Sequence, residues 1–333
     1  MSLDFTVAIP VYNGADRIHR VIERLRSQIN VEHLSWEILV IDNNSNDHLK
    51  ETIHELQANW NHPAPLHYIF EPQQGLTFAR ACAVEIAKGK YVGFLDDDNL
   101  AHGTWLSSAH QFGENHPTVG AYGGKIHAEL TAVPPPGWHG VKSFLAVRTL
   151  GNQPKSFNPR HLQLPPGAGL VIRKKAWLES VPKQVVRVSR GGDDYQISLY
   201  MHNQGWGIWY NPEMVIDHHI PEWRMSTEYI ASQAYLYGSC TCELQMIIVP
   251  GWQRPLMWAK GCLGAIKRLG HHLWTYGYLG SQNEGALQPL SYNQNASLNM
   301  TVHCTRAFYW GNLISPWLYL HRASKHLWSS YFT

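Results

Sequence analysis

Three adjacent aspartates, Asp96, Asp97 and Asp98, follow the apolar run from Tyr91 to Leu95. Adjacent carboxylates repel one another, and hard divalent cations such as Mg²⁺ and Mn²⁺ prefer oxygen ligands. The apolar run is typical of a strand buried on both faces of a parallel sheet, and ligands in such sheets bind beyond the carboxyl ends of the strands. The triplet therefore predicts a cation site at a strand end. The alternative is a polar turn in which Asp98 or Asn99 caps the next helix.

A second acidic pair, Asp193 and Asp194, stands at the predicted start of a helix. The helix macrodipole stabilises a carboxylate in the first turn, so capping is one interpretation of this pair. His218 and His219 follow a short predicted strand and could supply a nitrogen ligand. A histidine in such a place is more often a hydrogen-bonded structural residue, so the pattern leaves both interpretations open.

Strand and helix patterns alternate through the first hundred residues. The predicted strands are Phe5–Pro10, Trp36–Ile41, Leu66–Phe70 and Tyr91–Leu95, and the intervening helices are Ala15–Gln28, Leu49–Leu56 and Thr77–Lys88. In the first helix the apolar residues recur at helical spacing, which leaves its arginines, including Arg17, for water. The alternation predicts an α/β fold with a mostly parallel central sheet, right-handed crossovers and flanking helices.

The pattern changes in the second half of the chain. A long irregular stretch up to Pro166 is typical of a rim loop, and short strands are predicted at Leu170–Ile172 and Met214–Ile216. Beyond Ser226 the sequence is rich in tryptophan and helical in pattern, with a polar loop predicted at Ser281–Asn295. We therefore expect one domain over residues 1–225 and a helical extension over residues 226–333.

Composition excludes several classes of function. Among 333 residues, 27 Lys and Arg nearly balance 25 Asp and Glu, so the chain has no strong field for nucleic acid. Five cysteines without regular spacing argue for a reducing compartment rather than a disulfide framework. The first residues enter a strand without a signal-peptide pattern, and no stretch of about twenty apolar residues predicts a membrane span. The expected location is cytoplasmic, and the Trp-rich helices add the hypothesis of a peripheral contact with the inner face of the membrane.

Several motifs in order and spacing resemble a family 2 glycosyltransferase with the GT-A fold. The matching segments are AIPVYN at Ala8–Asn13, ILVIDNNSND at Ile38–Asp47, GLTFARACAVEIAKGKYVGFLDDDN at Gly75–Asn99, GAG at Gly167–Gly169 and GGDD at Gly191–Asp194. More narrowly, PPPGW at Pro134–Trp138 and HHIPEWR at His218–Arg224 are similar to cyanobacterial glycosyltransferases of the hormogonium polysaccharide type.

The resemblance implies a role for each candidate residue. It implies that the nucleotide is bound by Pro10, Tyr12, Asn13, Asp42, Asn44, Ser45 and Arg80, with Asp96 and Asp97 beside the donor. It implies that Mg²⁺ or Mn²⁺ is held by Asp98 and Asp96, with His218 or His219 completing the shell. Asp194 aligns with the catalytic base, and Asp193 replaces the glutamate that precedes the base in the family motif.

These roles imply an inverting transfer of a sugar from a nucleoside-diphosphate donor to a hydroxyl of a saccharide or lipid-linked acceptor, in polysaccharide biosynthesis. A metal ion stabilises the leaving diphosphate, and a carboxylate takes the proton of the acceptor hydroxyl. One rival is a sugar-phosphate nucleotidyltransferase, but VYNGAD at Val11–Asp16 is not the Gly-rich basic loop of that class. A second rival is a catalytically silent scaffold that binds nucleotide sugars, since fold alone does not establish turnover.

Overall fold

The computed structural model describes residues 2–182, 192–282 and 292–329, with side chains described outside 277–297 and 323–333. The strands are β1 (Leu3–Val11), β2 (Trp36–Asp42), β3 (Leu66–Phe70), β4 (Gly89–Phe94), β5 (Asn99–Ala101), β6 (Val119–Leu130), β7 (Lys155–Ser156), β8 (Val171–Arg173) and β9 (Gly207–Ile220). The helices are α1 (Ala15–Arg26), α2 (Leu49–Ala58), α3 (Leu76–Ile86), α4 (Trp105–Asn115), α5 (Trp138–Val141), α6 (Lys174–Ser180), α7 (Asp193–Asn203), α8 (Thr227–Ile247), α9 (Arg254–Gln282) and α10 (Tyr292–Ser329).

The strands described form one mixed sheet in the order β3-β2-β1-β4-β8-β6-β9-β5, with β7 paired to β9. The first four strands in that order are parallel, and Val7 of β1 pairs with Ile38 of β2 on one side and with Gly93 of β4 on the other. β8 joins β4 in the antiparallel direction, and β5 pairs with β9 in the same way. The parallel half places the ends of β1, β2 and β4 at one edge, where the acidic residues lie.

Apolar patterning accounts for the parallel half of the sheet. Every residue of β2 is buried, as expected for a strand covered on both faces. Helix α1 packs Ile18, Ile22 and Leu25 into the core and leaves its arginines on the outer side. Trp105 of α4 meets the ring of Phe5 edge-on, with 6.1 Å between the ring centroids. A Cβ at Gly93 would come within 2.7 Å of the Trp105 ring, so a glycine is needed where this helix crosses β4.

Strands β5 and β9 differ from the sequence expectation. β5 forms directly after the aspartate triplet, where only a turn and a helix were expected. β9 runs over 14 residues, far beyond the predicted Met214–Ile216. In β9 buried residues alternate with partly exposed ones, and the exposed side includes polar groups such as Asp217 and His219. Those polar residues interrupt the apolar run that the sequence pattern relies on, because a half-covered antiparallel strand needs only alternate apolar residues.

The chain divides into two compact units. The first comprises Met1–Glu129, Ala146–Arg187 and Asp193–Ile220, and the second comprises Leu130–Leu145, Val188–Gly192 and Pro221–Thr333. The single boundary expected near residue 225 stays a prediction, and most of the loop predicted at Ser281–Asn295 lies outside the described residues. The second unit is helical, and a Cβ at Gly238 of α8 would clash with the carbonyl oxygen of Phe308 in α10. The backbones of α8 and α10 therefore pack closely. No helix in the described part of the chain combines the length and apolar content that a bilayer crossing requires.

Candidate functional site

The aspartate triplet lies on a turn that Asn99 organises. The backbone N–H of Asn99 donates to the carbonyl oxygen of Asp96 at 3.0 Å, and the side-chain oxygen of Asn99 accepts from the N–H of Asp96 at 3.2 Å. The amide nitrogen of Asn99 also donates to Oδ1 of Asp98 at 2.9 Å. Because Asn99 is fully buried, its bonds fix both the turn and the direction of the Asp98 carboxylate.

Asp98 and His218 face one another across the β5–β9 pairing. Asn99 is the register partner of His218, and Nε2 of His218 lies 3.5 Å from Oδ2 of Asp98. Both side chains are only 11% exposed. The ring of His219 instead contacts Glu129, with its Nδ1 2.7 Å from Oε2 of that residue. Of the two histidines singled out in the sequence, His218 is therefore the one beside the aspartates.

Arg80 supplies a buried positive charge next to the triplet. Its Nη2 lies 3.7 Å from Oδ1 of Asp96, and its guanidinium lies over the Phe94 ring. Burial raises the pKa of Asp96 above its usual value; the carboxylates of Asp98 and Asp194 raise it further, while Arg80 and His218 oppose the rise. Asp96 is therefore a buried carboxylate, and Arg80 and His218 offset the cost of burying its charge only in part.

Asp97 is paired with the first helix. Nη2 of Arg17 lies 2.5 Å from Oδ2 of Asp97 and also donates to the carbonyl oxygen of Asn13. Burial raises the pKa of Asp97 to about 6, with the neighbouring carboxylates adding to the rise and Arg17 opposing it. Arg17 is exposed, as expected for the outer side of α1, but its ion pair with Asp97 was not expected from the sequence.

Asp193 and Asp194 are the first residues of α7. Asp194 is linked to the region around Arg80 and Asp96 through Gly167. Its Oδ2 accepts a 2.6 Å hydrogen bond from the Gly167 N–H, and its Oδ1 accepts one from the N–H of Tyr195 at 2.9 Å. A Cβ at Gly167 would clash with Nη2 of Arg80. Asp194, Gly167, Arg80 and Asp96 thus form a continuous set of neighbours.

Asp42 ends β2 in a polar pocket. Its Oδ2 accepts a 2.6 Å hydrogen bond from the Tyr68 hydroxyl, and its Oδ1 accepts one from the N–H of Ser45 at 2.8 Å. Burial raises the pKa of Tyr68 well above its ordinary value, and the Asp42 carboxylate adds to the rise. Asp42 is itself 4% exposed, so these donors hold its carboxylate in one direction.

The loops after β1 and β2 are bonded to one another. Asn13 and Asn44 both have positive φ, 51° and 63°, a conformation that asparagine tolerates better than most residues. The N–H of Asn13 donates to Oγ of Ser45 at 3.1 Å, and its side-chain oxygen accepts from the N–H of Asn46 at 2.9 Å. Pro10 lies in β1, opposite Ile41 of β2. Tyr12 keeps 46% of its surface exposed at the same edge.

Contacts therefore connect the candidate residues of the first unit. Asp42 is bonded to Ser45, Ser45 to Asn13, and Asn13 through its carbonyl to Arg17, which pairs with Asp97. The edge of the sheet presents several carboxylates, one imidazole and one buried guanidinium. Such a set can bind a divalent cation with an anionic ligand, and a carboxylate nearby can accept a proton.

Comparison with known proteins bears on this arrangement. Residues 6–142 match the family model described as glycosyl transferase family 2. The glycosyltransferase AglE of Haloferax volcanii is 35% identical over 101 residues, which cover 30% of this chain and 32% of AglE. The succinoglycan biosynthesis protein ExoM of Rhizobium meliloti is 26% identical over 224 residues, covering 65% of this chain and 68% of ExoM. These matches support a family 2 glycosyltransferase. The chain spans about a third of AglE and only 15% of an uncharacterized glycosyltransferase of Rickettsia conorii.

The fold of the chain is shared with a solved structure. The mannosyltransferase PcManGT from Pyrobaculum calidifontis, in complex with GDP-Man and Mn²⁺, superposes with a TM-score of 0.60 at 18% identity. The likeness covers 99% of this chain and 88% of that one. The GT-A fold expected from the sequence, a mostly parallel sheet with flanking and C-terminal helices, is confirmed.

Sequence reasoning missed two polar residues that support the candidate site. Asn43 is buried, accepts from the N–H of Gly75 at 2.6 Å and donates to the carbonyl oxygen of Gln73 at 2.8 Å. It ties the end of β2 to the turn that begins α3, the helix of Arg80. Tyr68 is the second, through its bond to Asp42. Asn43 lies inside the DNNSND motif, which was the available signal, whereas nothing local in the sequence links Tyr68 to Asp42.

Proposed function

We propose that this protein is an inverting glycosyltransferase. It moves a sugar from a nucleoside-diphosphate donor to a hydroxyl of a saccharide or lipid-linked acceptor, in polysaccharide biosynthesis. The observation that carries the proposal is the contact path from Asp96 through Arg80 and Gly167 to Asp194. It joins a cation-binding carboxylate, a buried cation and a carboxylate suited to proton removal.

The loops at the ends of β1 and β2 bind the nucleoside in this proposal. Asp42 accepts a hydrogen bond from the base, since a carboxylate oriented by Tyr68 and Ser45 has lone pairs left for another donor. Tyr12 offers an exposed ring for contact with the base. Pro10, Asn13 and Asn44 shape the surrounding backbone. Arg80 binds the diphosphate in this proposal. Its buried guanidinium lies 3.7 Å from the Asp96 carboxylate, which is too far for a hydrogen bond between the two.

The donor set beside the diphosphate fits Mg²⁺ or Mn²⁺. Asp98 and His218 lie 3.5 Å apart, a spacing that two ligands of one ion can have, and Asp96 offers a second carboxylate. Burial is the main cause that raises the pKa of Asp96, and the carboxylates of Asp98 and Asp194 add to the rise, so a cation beside them would favour the ionised form. A bound divalent ion supplies Lewis-acid stabilisation of the leaving diphosphate. In this proposal Asp97 supports the site through its ion pair with Arg17.

Asp194 is the proposed general base. The hydrogen bond from Gly167 orients its carboxylate, which takes the acceptor's proton as the new bond to the anomeric carbon forms. A single displacement with one base inverts the anomeric configuration. Asp193 lies in the same first turn and is the alternative base.

The decisive experiment is turnover of nucleotide sugars by the purified chain. We expect release of nucleoside diphosphate with Mn²⁺ or Mg²⁺ and loss of that release in EDTA and in Asp98→Asn. Undiminished release in EDTA would remove the metal assignment. Release of pyrophosphate from a sugar phosphate and a nucleoside triphosphate would instead support a nucleotidyltransferase. Binding without any product would support a silent scaffold.

The proposal also includes a peripheral membrane contact, which is made by the exposed face of α9. The residues from Arg254 to Gln282 include no acidic side chain. Ala265 and Leu269 on one side of the helix are buried, yet Leu263 and Trp274 on the other side are 69% and 71% exposed. A surface helix normally has a polar outer face.

The basic residues of α9 favour an anionic bilayer as the occupant of that face. Leu256, Leu263 and Ile266 recur at helical spacing and are exposed, while Lys260 and Lys267 flank them. Apolar residues that enter the interface beside lysines are typical of interfacial helices. We expect co-sedimentation with vesicles of phosphatidylglycerol but not of phosphatidylcholine, and loss of it in Leu263→Glu. Leu178→Glu, at an exposed leucine of the first unit, is the control, and equal sedimentation of both variants would count against the contact.

The narrower resemblance to cyanobacterial glycosyltransferases of the hormogonium polysaccharide type stays a prediction. A screen of nucleotide sugars by thermal shift with Mn²⁺ identifies the donor first. Anomeric analysis of the product by NMR then checks inversion, and retention of configuration would remove the single-displacement mechanism.

A further inference from the structure

A second group of potential metal ligands lies outside the proposed nucleotide site. It consists of His102, which follows β5, His127 of β6 and Asp217 of β9, and their ligand atoms all lie within 4.8 Å of one another. Nε2 of His102 is 3.0 Å from Oδ2 of Asp217. Nδ1 of His127 is 3.8 Å from Oδ1 of Asp217, which is beyond hydrogen-bond distance.

The sheet separates this triad from the aspartate triplet. Successive side chains of a strand point to opposite faces, so Asp217 and the adjacent His218 face different sides of β9. Leu100 is the register partner of Asp217, and the N–H of His102 donates to the carbonyl oxygen of Val215 at 3.0 Å. His102, two residues beyond Leu100, therefore shares the face of Asp217. The triad stands on backbone that ladder hydrogen bonds hold in place.

The neighbouring polar residues on this face already neutralise one another. Nη2 of Arg20 lies 2.8 Å from Oε1 and 2.9 Å from Oε2 of Glu129, and His219 also bonds to Glu129. Glu129 lies two residues beyond His127 on β6, and His219 lies two residues beyond Asp217 on β9. These residues therefore form a second cluster, separate from the triad. The triad itself combines two imidazoles with one carboxylate, so with neutral histidines it carries one negative charge.

We propose that His102, His127 and Asp217 form a binding site for a transition-metal dication of the Zn²⁺ class, distinct from the Mg²⁺ or Mn²⁺ of the catalytic region. Two imidazoles and a carboxylate suit Zn²⁺, whereas Mg²⁺ prefers oxygen ligands alone. Bonds of about 2.0–2.2 Å to a tetrahedral ion place neighbouring ligand atoms roughly 3.3–3.6 Å apart. The two measured distances, 3.0 and 3.8 Å, bracket that range. Water supplies the fourth ligand, because all three side chains are partly exposed.

Occupancy of the site would connect three segments of the sheet, β6, β9 and the end of β5. β9 carries His218 on its other face, and β5 follows the aspartate triplet directly. A ligand that binds only the folded chain raises its stability in proportion to ligand concentration over Kd. The ion therefore stabilises the part of the sheet that supports the catalytic carboxylates.

The test is Zn²⁺ titration of the chelator-stripped chain, followed by calorimetry and by the thermal melting temperature. Asp98→Asn serves as the background, so that binding at the catalytic region is weakened. We expect one equivalent of Zn²⁺ to bind and the melting temperature to rise. Because losing even a residue that supports a ligand costs about 10- to 100-fold in affinity, His102→Ala and His127→Ala should each weaken binding at least about tenfold.

His33→Ala is the matched control, since His33 is an exposed histidine of the same unit outside the triad. It should bind Zn²⁺ as the background does. Circular dichroism of the metal-free variants checks that each is folded, and His127→Gln provides a milder replacement if His127→Ala is not. Absence of stoichiometric Zn²⁺ binding in the background, or equal affinity in His102→Ala and His127→Ala, would overturn the proposal.

Discussion

The backbone N–H of Gly167 donates a 2.6 Å hydrogen bond to Oδ2 of Asp194. The same glycine lies against the guanidinium of Arg80, so closely that any Cβ would clash with it. One residue without a side chain therefore separates the proposed base from the buried cation beside Asp96. The same turn of backbone therefore positions both the carboxylate proposed as the proton acceptor and the guanidinium proposed to bind the diphosphate.

Substitution of Asp194 tests the base directly. Asp194→Asn keeps an oxygen that can accept from Gly167 but removes the proton acceptor. General base catalysis typically contributes about 10²- to 10⁴-fold, so kcat should fall by roughly that factor with little change in donor binding. Asp193→Asn is the matched control and should retain most activity. Full activity of Asp194→Asn together with an inactive Asp193→Asn would transfer the role to Asp193.

Gly167→Ala tests the role of Arg80 without changing a charge. The added methyl group would clash with the buried guanidinium of Arg80, which has to leave its present position beside Asp96. We expect the KM for the donor to rise about tenfold or more, the equivalent of roughly 1.4 kcal/mol. Gly103→Ala is the control, because its Cβ would meet neighbours only at ordinary contact distances, 3.7 Å and beyond. An unchanged donor KM in Gly167→Ala would contradict the role given to Arg80.

The sequence allowed prediction of the parallel half of the fold because each element there carries a complete local signal. The buried strands β1, β2 and β4 are apolar runs, and α1 repeats its apolar residues at helical spacing. The ends of β9 could not be predicted in this way. Half of its residues face the partly exposed side, and its pairing with β5 depends on a partner more than a hundred residues away.

The candidate site was predictable as a set of residues but not as a set of contacts. Asp42, Asp98 and Asp194 stand out by type and position, yet their partners Tyr68, His218 and Gly167 are selected by tertiary packing. A sequence pattern offered two adjacent histidines, and only the β9 register distinguishes their faces. The pairing of Arg17 with Asp97 likewise depends on tertiary packing.

Tyr68→Phe tests the support of Asp42. The change removes a 2.6 Å hydrogen bond from a carboxylate that is nearly fully buried, and hydrogen bonds to charged groups contribute about 1.5–3 kcal/mol. The free energy of unfolding should fall by about that amount in denaturant titration, and donor affinity should weaken. Tyr235→Phe, at an exposed tyrosine, should change neither quantity. Stability equal to that of the parent would show that Asp42 does not depend on Tyr68.

The pH dependence of stability has a defined contribution from Asp4. Oδ2 of Asp4 accepts hydrogen bonds from the hydroxyl of Ser35 at 2.7 Å and from its backbone N–H at 2.8 Å. The side-chain bond from Ser35 is the main cause that holds the pKa of Asp4 below its ordinary value of 3.8, with the backbone bond next. The folded chain therefore binds the Asp4 proton less readily than the unfolded chain. The stabilisation is complete above the unfolded pKa and is lost as the pH falls through the folded pKa.

Ser35→Ala should therefore be less stable than the parent at pH 7, and the difference in unfolding free energy should shrink as the pH falls below about 4. Urea titrations of both proteins at pH 7, 5, 4 and 3 measure that difference. Glu32→Gln, at an exposed carboxylate, is the control for a general effect of acid on the chain. A gap between Ser35→Ala and the parent that stays constant down to pH 3 would mean that the hydroxyl stabilises the fold without acting through the charge of Asp4.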